Sequence, residues 1–85
     1  MKRILEELKE NQKLCSLYIN FQDTSKFIFG KILEVDEMHI IFYSLSPDGE
    51  YDGLMLIKID NILRIEYDDL YTARMNRLLD EKPAI

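Results

Sequence analysis

The sequence predicts a mainly β fold: a small, strongly bent, five-stranded antiparallel barrel with an N-terminal helix and an added C-terminal helix. Three observations predict this class. Five short apolar segments are separated by turn residues, one of them carries a glycine in its middle, and segments of helical periodicity flank the set. A glycine within a strand marks a sharp bend or a close approach of another backbone, as small barrels require.

The length of 85 residues corresponds to one domain, residues 1–85. A domain of this size buries only about 60% of the surface that its unfolded chain exposes, so self-association would add needed stability. No apolar stretch reaches the roughly 18 residues that span a bilayer, and the N-terminal segment lacks the apolar region of a secretory signal. A single cysteine, Cys15, permits no internal disulfide. We therefore expect a cytoplasmic protein without a membrane partner.

The two ends of the chain have helical periodicity. Residues 2–13 place Leu5 and Leu8 on one stripe among good helix formers, which predicts a short amphipathic helix. Residues 69–82 follow acidic residues suited to a helix N-cap and repeat apolar residues at helical spacing. The apolar stripe of this last helix is predicted to pack against the barrel.

Between the helices, residues 14–67 are predicted to form the barrel. From Leu14 the apolar period changes to two, and Gly30 interrupts the longest apolar strand. The order Pro47-Asp48-Gly49 suits a tight turn between two later strands. The predicted strands are 14–21, 26–35, 38–45, 54–59 and 62–67.

The net charge of −5 is unevenly distributed. Residues 1–19 and residues 70–85 each carry +1, which leaves −7 on the middle of the chain. Non-specific binding to nucleic acid depends on Lys and Arg displacing counterions from phosphates. An acidic body therefore argues against general DNA binding, and any contact with nucleic acid should be local.

Two segments of the predicted sheet resemble the motifs of the Sm-like (LSm/Hfq-like) superfamily. Residues 30–42, GKILEVDEMHIIF, are similar to the first Sm motif, in which a glycine precedes an aspartate by six residues and an apolar strand follows. Residues 57–65, IKIDNILRI, resemble the second motif, which leads into the last strand. The leading helix also fits this family. The spacing after Asp36 is closer to bacterial Hfq than to eukaryotic Sm proteins.

The resemblance implies rings in which the fourth strand of one subunit pairs with the fifth strand of the next, and single-stranded RNA binds near the pore. For this chain it implies a homo-oligomer formed through edge strands 54–59 and 62–67. The RNA-binding candidates that match the motifs are Asp36, His39, Lys58 and Asn61. The family's base-reading asparagine is absent from the Asp36 loop, and Ile59 stands where Sm proteins have glycine and Hfq has histidine.

Structural interpretations stand beside these functional ones. His39 suits a partly buried position in a strand, and a charge such as Lys58 within an apolar strand also discourages wrong strand pairing. Several aromatic residues could stack bases, although most should belong to the core. These residues are Tyr18, Phe21, Phe27, Phe29, Phe42 and Tyr43.

Two functions remain open. One is an oligomeric single-stranded RNA-binding protein, and the alternative is a protein-interaction or assembly module of the same fold that binds no RNA. An enzyme is not expected, because the chain has one cysteine and one histidine and lacks a glycine-rich phosphate loop. We accordingly expect no catalytic residues, no cofactor and no metal.

Overall fold

The computed structural model describes residues 1–81, and its elements follow the predicted order of a helix, five strands and a helix. They are α1 (Lys2–Glu10), β1 (Leu14–Tyr18), β2 (Ile28–Val35), β3 (His39–Leu45), β4 (Tyr51–Lys58), β5 (Arg64–Tyr67) and α2 (Leu70–Glu81). A short 3₁₀ helix, Ile59–Asn61, joins β4 to β5. The mainly β class with a helix at each end is confirmed. Residue 82 of the predicted last helix lies outside the described residues.

The five strands form one antiparallel sheet in the order β4-β3-β2-β1-β5. The strands β4 and β5 each have a single neighbour, so they are the two edges of the sheet. The predicted edge segments 54–59 and 62–67 overlap these two strands. The sheet is open, because among residues 1–81 no pairing joins β4 to β5 and closes a barrel.

Gly30 lies in the long second strand at a close approach of two backbones, one of the two features that a glycine within a strand predicts. A Cβ atom at this position would lie 1.8 Å from the carbonyl oxygen of Tyr43 on the neighbouring strand. Only glycine permits this close approach of two backbones. Further along β2 the register with β3 shifts between Ile32 and Glu34, and a bulge of this kind adds local twist.

The main core lies between the sheet and α1. Leu5 and Leu8 of the helix are buried against apolar residues contributed by every strand or by the segments that join them. The buried members of this cluster are Leu5, Leu8, Cys15, Leu17, Ile32, Ile40, Phe42, Ile57 and Ile62. The helix α1 therefore covers one face of the sheet with the stripe that its sequence predicts.

A second core lies on the opposite face of the sheet, beneath α2. Met75 of the helix is buried with Leu14 and Phe29, and Leu78 and Leu79 pack around them. The last helix thus covers part of the sheet with its predicted apolar stripe. Because both faces of β1 are covered, all five of its residues are buried, although the sequence alternates between apolar and polar positions. Neither helix of the described chain has the length and apolar character needed to cross a membrane.

The first strand is shorter than predicted. It ends at Tyr18 rather than near Phe21, because the side-chain oxygen of Asn20 accepts hydrogen bonds from the backbone N–H groups of Gln22 (2.9 Å) and Asp23 (3.2 Å). An asparagine that caps its own following backbone starts a turn and competes with the strand ladder. Phe21 therefore lies outside the sheet, and its side chain is 64% exposed.

Candidate interaction surface at the β4 edge

Asp36 organises the turn between β2 and β3. Its carboxylate oxygen Oδ1 accepts hydrogen bonds from the backbone N–H groups of Met38 (2.8 Å) and His39 (2.6 Å). Its own N–H donates to the carbonyl oxygen of His39 over 2.9 Å. These contacts close the turn, and the two bonds from His39 and Met38 hold the pKa of the Asp36 carboxyl below its ordinary value. The geometry assigns this carboxylate to the turn.

Substituting Asp36 tests its role in the turn. Asp36→Ala should lower the melting temperature by several degrees, because two backbone donors lose their acceptor, whereas Asp36→Asn keeps an acceptor oxygen and should lose less. Because folding lowers the pKa of Asp36, its carboxylate stabilises the folded protein fully at pH values above the ordinary pKa of 3.8. This stabilisation is lost as the pH falls through the lowered pKa of the folded protein.

The measurement is thermal unfolding of the wild type and the Asp36→Asn variant between about pH 2 and pH 7. Asp23, whose pKa is lowered mainly by a hydrogen bond from the Ser25 side chain, is common to both proteins and cancels in the comparison. The wild-type advantage should shrink toward the acidic end. A difference that stays constant over the whole range would show that the Asp36 carboxylate does not supply this stabilisation.

The structure brings His39 and Lys58 together. They are direct partners in the antiparallel register of β3 and β4, at the end of the sheet next to the Asp36 turn. The backbone N–H of Ile59 donates to the carbonyl oxygen of Met38 over 2.8 Å and extends this pairing by one residue. Asn61 ends the 3₁₀ helix that follows β4. The structure thus pairs His39 with Lys58 and puts Asp36 in the adjoining turn, while Asn61 lies in the helical turn that follows Lys58.

The charges around this end of the sheet are mixed. Lys58 is exposed and His39 is half-buried, while Glu37 and Asp60 are exposed acidic neighbours in sequence of the two. The ammonium group of Lys2 on α1 donates a hydrogen bond to Glu37, which raises the pKa of the lysine and ties the helix to the turn. Within residues 1–81, a single chain therefore presents no concentrated positive patch at this end of the sheet.

The β4 edge also exposes large apolar side chains. Leu54 and Leu56 are 57% and 71% exposed, although they lie in a strand. Their register partners on β3 are Tyr43 and Ile41, which are half-buried. We call Leu54 and Leu56, together with the open backbone of β4, the β4 edge surface. Exposed leucines on an edge strand are unusual. An open apolar edge can pair with the strand of another chain, and proteins usually protect such edges with charges or cover them.

The β5 edge is shorter and more polar. The guanidinium carbon of Arg64 lies 4.0 Å from the ring centroid of Tyr18 on β1, and the Tyr18 hydroxyl donates to Glu66 Oε1 over 2.8 Å. Arg64 Nε also lies 3.4 Å from Glu66 Oε2. The Tyr18 contact is the largest cause of the raised pKa of Arg64. These side chains are paired within one chain, in contrast to the leucines of β4.

The aromatic residues divide between the core and the surface. Tyr18, Phe29 and Phe42 are buried, as expected of core residues, whereas Phe21 and Phe27 are exposed. Phe27 lies between two rings, with its centroid 5.4 Å from that of Tyr18 and 5.4 Å from that of Tyr71 on α2. Cys15 is fully buried, and burial raises the pKa of its thiol to about 12. A neutral thiol in the core is not a nucleophile at physiological pH.

The exposure of Leu54 and Leu56 was not predicted from the sequence. The nearly unbroken apolar run of residues 54–59 indicates a strand, but it does not say which face of that strand is covered. The helix α2 packs over β1 and the adjoining strands and leaves β4 uncovered, which is a tertiary feature. The sequence feature that could have indicated this exposure was the apolar run of residues 54–59 in a strand predicted to lie at the edge of the sheet.

A scan against protein-family models, a search of curated proteins and a search of solved structures found no match to this chain. Among residues 1–81, no group of three or more His, Cys, Asp or Glu side chains is arranged to hold a metal ion. The β4 edge surface and the adjoining His39–Lys58 pair are therefore the features from which a function is inferred.

Proposed function

We propose that this protein is an Sm-like assembly module that associates with further copies of itself through the exposed edges of its sheet. The observation that carries the proposal is the β4 edge surface, where Leu54 and Leu56 are 57% and 71% exposed beside an unpaired strand edge. Burial of apolar surface is the main driving force of association, and a paired edge satisfies the open backbone groups. The small size of the chain adds to the benefit of assembly.

The Sm-like character of the module rests on two supports. The glycine and aspartate of the first motif, Gly30 and Asp36, take the positions of a close backbone approach and of the turn after β2. The strand order β4-β3-β2-β1-β5 leaves the fourth and fifth strands at opposite edges of the sheet, where each is open to pairing with another copy.

Light scattering of the wild type tests this proposal. We expect a mass above the 10.1 kDa of one chain, and Leu56→Asp should shift the protein toward the monomer, because it places a charge in the buried contact. The matched control is Leu70→Asp, which changes a leucine of similar exposure, 65%, at the start of α2. A wild type that stays monomeric up to high micromolar concentration would overturn the proposal.

Binding of single-stranded RNA by the assembly is the second candidate function. It is favoured by the direct pairing of His39 with Lys58, because assembly would repeat this pair of basic side chains. The acidic neighbours Glu37 and Asp60 oppose phosphate binding, so we place this function second.

The RNA function is tested by titrating fluorescent oligo-U and oligo-A single strands at low and at moderate salt. Binding that weakens as salt rises and that is reduced in Lys58→Ala would support it, because counterion release depends on the cation. Lys26→Ala, at an exposed loop lysine, is the matched control. Absence of binding at low salt, where phosphate contacts are strongest, would overturn RNA binding and leave the assembly proposal standing.

A further inference from the structure

The outward-facing residues of β4 form a self-complementary pattern. Asp52 is exposed near the start of the strand, Lys58 is exposed at its end, and Leu54 and Leu56 lie between them. No ion pair within residues 1–81 involves either Asp52 or Lys58. The strand therefore carries a negative group at one end, a positive group at the other and exposed apolar side chains in the middle.

Such a pattern matches its own reversed copy. Consider two β4 strands that pair antiparallel with Met55 of one copy opposite Met55 of the other. A residue that lies a given number of positions before Met55 then faces the residue that lies the same number of positions after Met55 in the other copy. Each Leu54 then lies opposite Leu56 of the other copy, and each Asp52 lies opposite Lys58. A two-fold axis repeats both contacts, so four leucines and two oppositely charged pairs meet in one interface.

Other registers that keep the same faces together are less complementary. A shift by two residues toward the C-terminus sets Asp52 opposite Asp60 and Leu54 opposite Lys58. A shift by two residues in the other direction keeps a cation near an acid, at Glu50, but it sets Asp52 opposite Leu56. Since opposed like charges and charges opposed to leucine both disfavour pairing, the register centred on Met55 is selected.

Strand length favours the same arrangement over head-to-tail pairing. The strand β4 has eight residues, whereas β5 has four. Pairing β4 with β5 of another copy leaves much of the longer edge unpaired, but pairing it with another β4 matches its length. The side chains of Arg64 and Glu66 on β5 already contact each other within one chain.

We infer that two copies of this chain associate through antiparallel β4–β4 pairing centred on Met55, with Asp52 of each copy opposite Lys58 of the other. The inference rests on the proposed assembly function and specifies its symmetry. The resulting sheet has ten strands, and its two outer edges are the β5 strands. The bulge in β4 leaves Asp52 without a register partner on β3, because the pairing passes from Gly53 to Tyr51, and Asp52 lies at the end of the proposed contact.

Charge reversal at the two ends of β4 tests the register. Asp52→Lys and Lys58→Asp, each alone, set like charges opposite each other twice per dimer, and each should raise the dimer dissociation constant about tenfold. The double variant D52K/K58D restores opposite charges and keeps the wild-type net charge of −5, so it should recover near wild-type affinity. The controls Asp48→Lys and Lys26→Asp make the same charge changes at exposed loop positions and should have little effect.

Sedimentation equilibrium over a range of protein concentrations measures these constants, with circular dichroism to verify that each variant is folded. The expected result is a mass of about 20 kDa, twice that of the 10.1 kDa chain, and rescue in the double variant. An assembly larger than a dimer, in which the double variant does not recover wild-type affinity, would overturn the two-fold register while leaving self-assembly intact. A strict monomer would overturn both.

Discussion

Replacing Gly30 with alanine is expected to destabilise the protein strongly. The added Cβ would lie 1.8 Å from the carbonyl oxygen of Tyr43 and 2.9 Å from its carbonyl carbon, and both are backbone atoms that cannot move without separating β2 from β3. We expect a loss of about 3–5 kcal/mol, because the clash forces the two paired backbones apart. A domain of this length has about 4–13 kcal/mol of stability in total, so this loss is a large share of it.

Gly53 supplies the matched control for this substitution. It also lies in a strand and has a positive φ of 118°, but a Cβ built on it meets no atom within 4 Å. Gly53→Ala should therefore cost only the backbone strain, about 1–3 kcal/mol. Urea unfolding followed by circular dichroism, at one fixed protein concentration, compares the two. Equal losses in the two variants would show that the approach of Tyr43 to Gly30 does not determine stability.

The order of elements could be predicted because it depends on local periodicity. Leu5 and Leu8 recur at helical spacing, and both are buried on α1. The segment around Gly30 carries the apolar run of a strand interrupted by a glycine, and the close backbone contact lies there. These signals are contained within a few neighbouring residues, so they can be recognised without knowledge of the tertiary fold.

The strand ends could not be predicted with the same success, because side-chain contacts set them. Asn20 ends β1 by capping its own backbone, although residues 19 and 21 continue the apolar alternation. The strand β4 begins at Tyr51 rather than at Leu54, because a bulge lets Tyr51 pair with Leu45 beyond the tight turn. The pattern of apolar residues does not indicate where a side chain caps the backbone or where a strand bulges.

The candidate site was only partly visible in the sequence. The spacing of His39 and Lys58 does not by itself indicate contact, and their pairing depends on the register of β3 with β4. Asp36 was predicted as an RNA-binding candidate, and its carboxylate also accepts two backbone hydrogen bonds within its own turn, which the sequence did not indicate. The exposed leucines of β4 depend on where α2 packs, which is decided by contacts far apart in the chain.

The two phenylalanines Phe42 and Phe21 should respond very differently to the same substitution. Phe42 is fully buried in the main core against residues of the sheet and of α1, whereas Phe21 is 64% exposed in the turn after β1. Removing a buried phenylalanine ring loses its transfer free energy and leaves a cavity, at a cost of about 3–5 kcal/mol. Removing an exposed ring costs about 0.5 kcal/mol or less.

Urea unfolding of Phe42→Ala and Phe21→Ala, measured side by side, provides the comparison. The Phe42 variant should be largely unfolded without denaturant or have a much lower transition midpoint, while the Phe21 variant should unfold close to the wild type. The chain has no tryptophan, so far-ultraviolet circular dichroism is the suitable probe. Because both substitutions remove the same atoms, any difference reports the packing of the two positions. Similar losses in both variants would contradict a core centred on Phe42, and with it the placement of α1 over this face of the sheet.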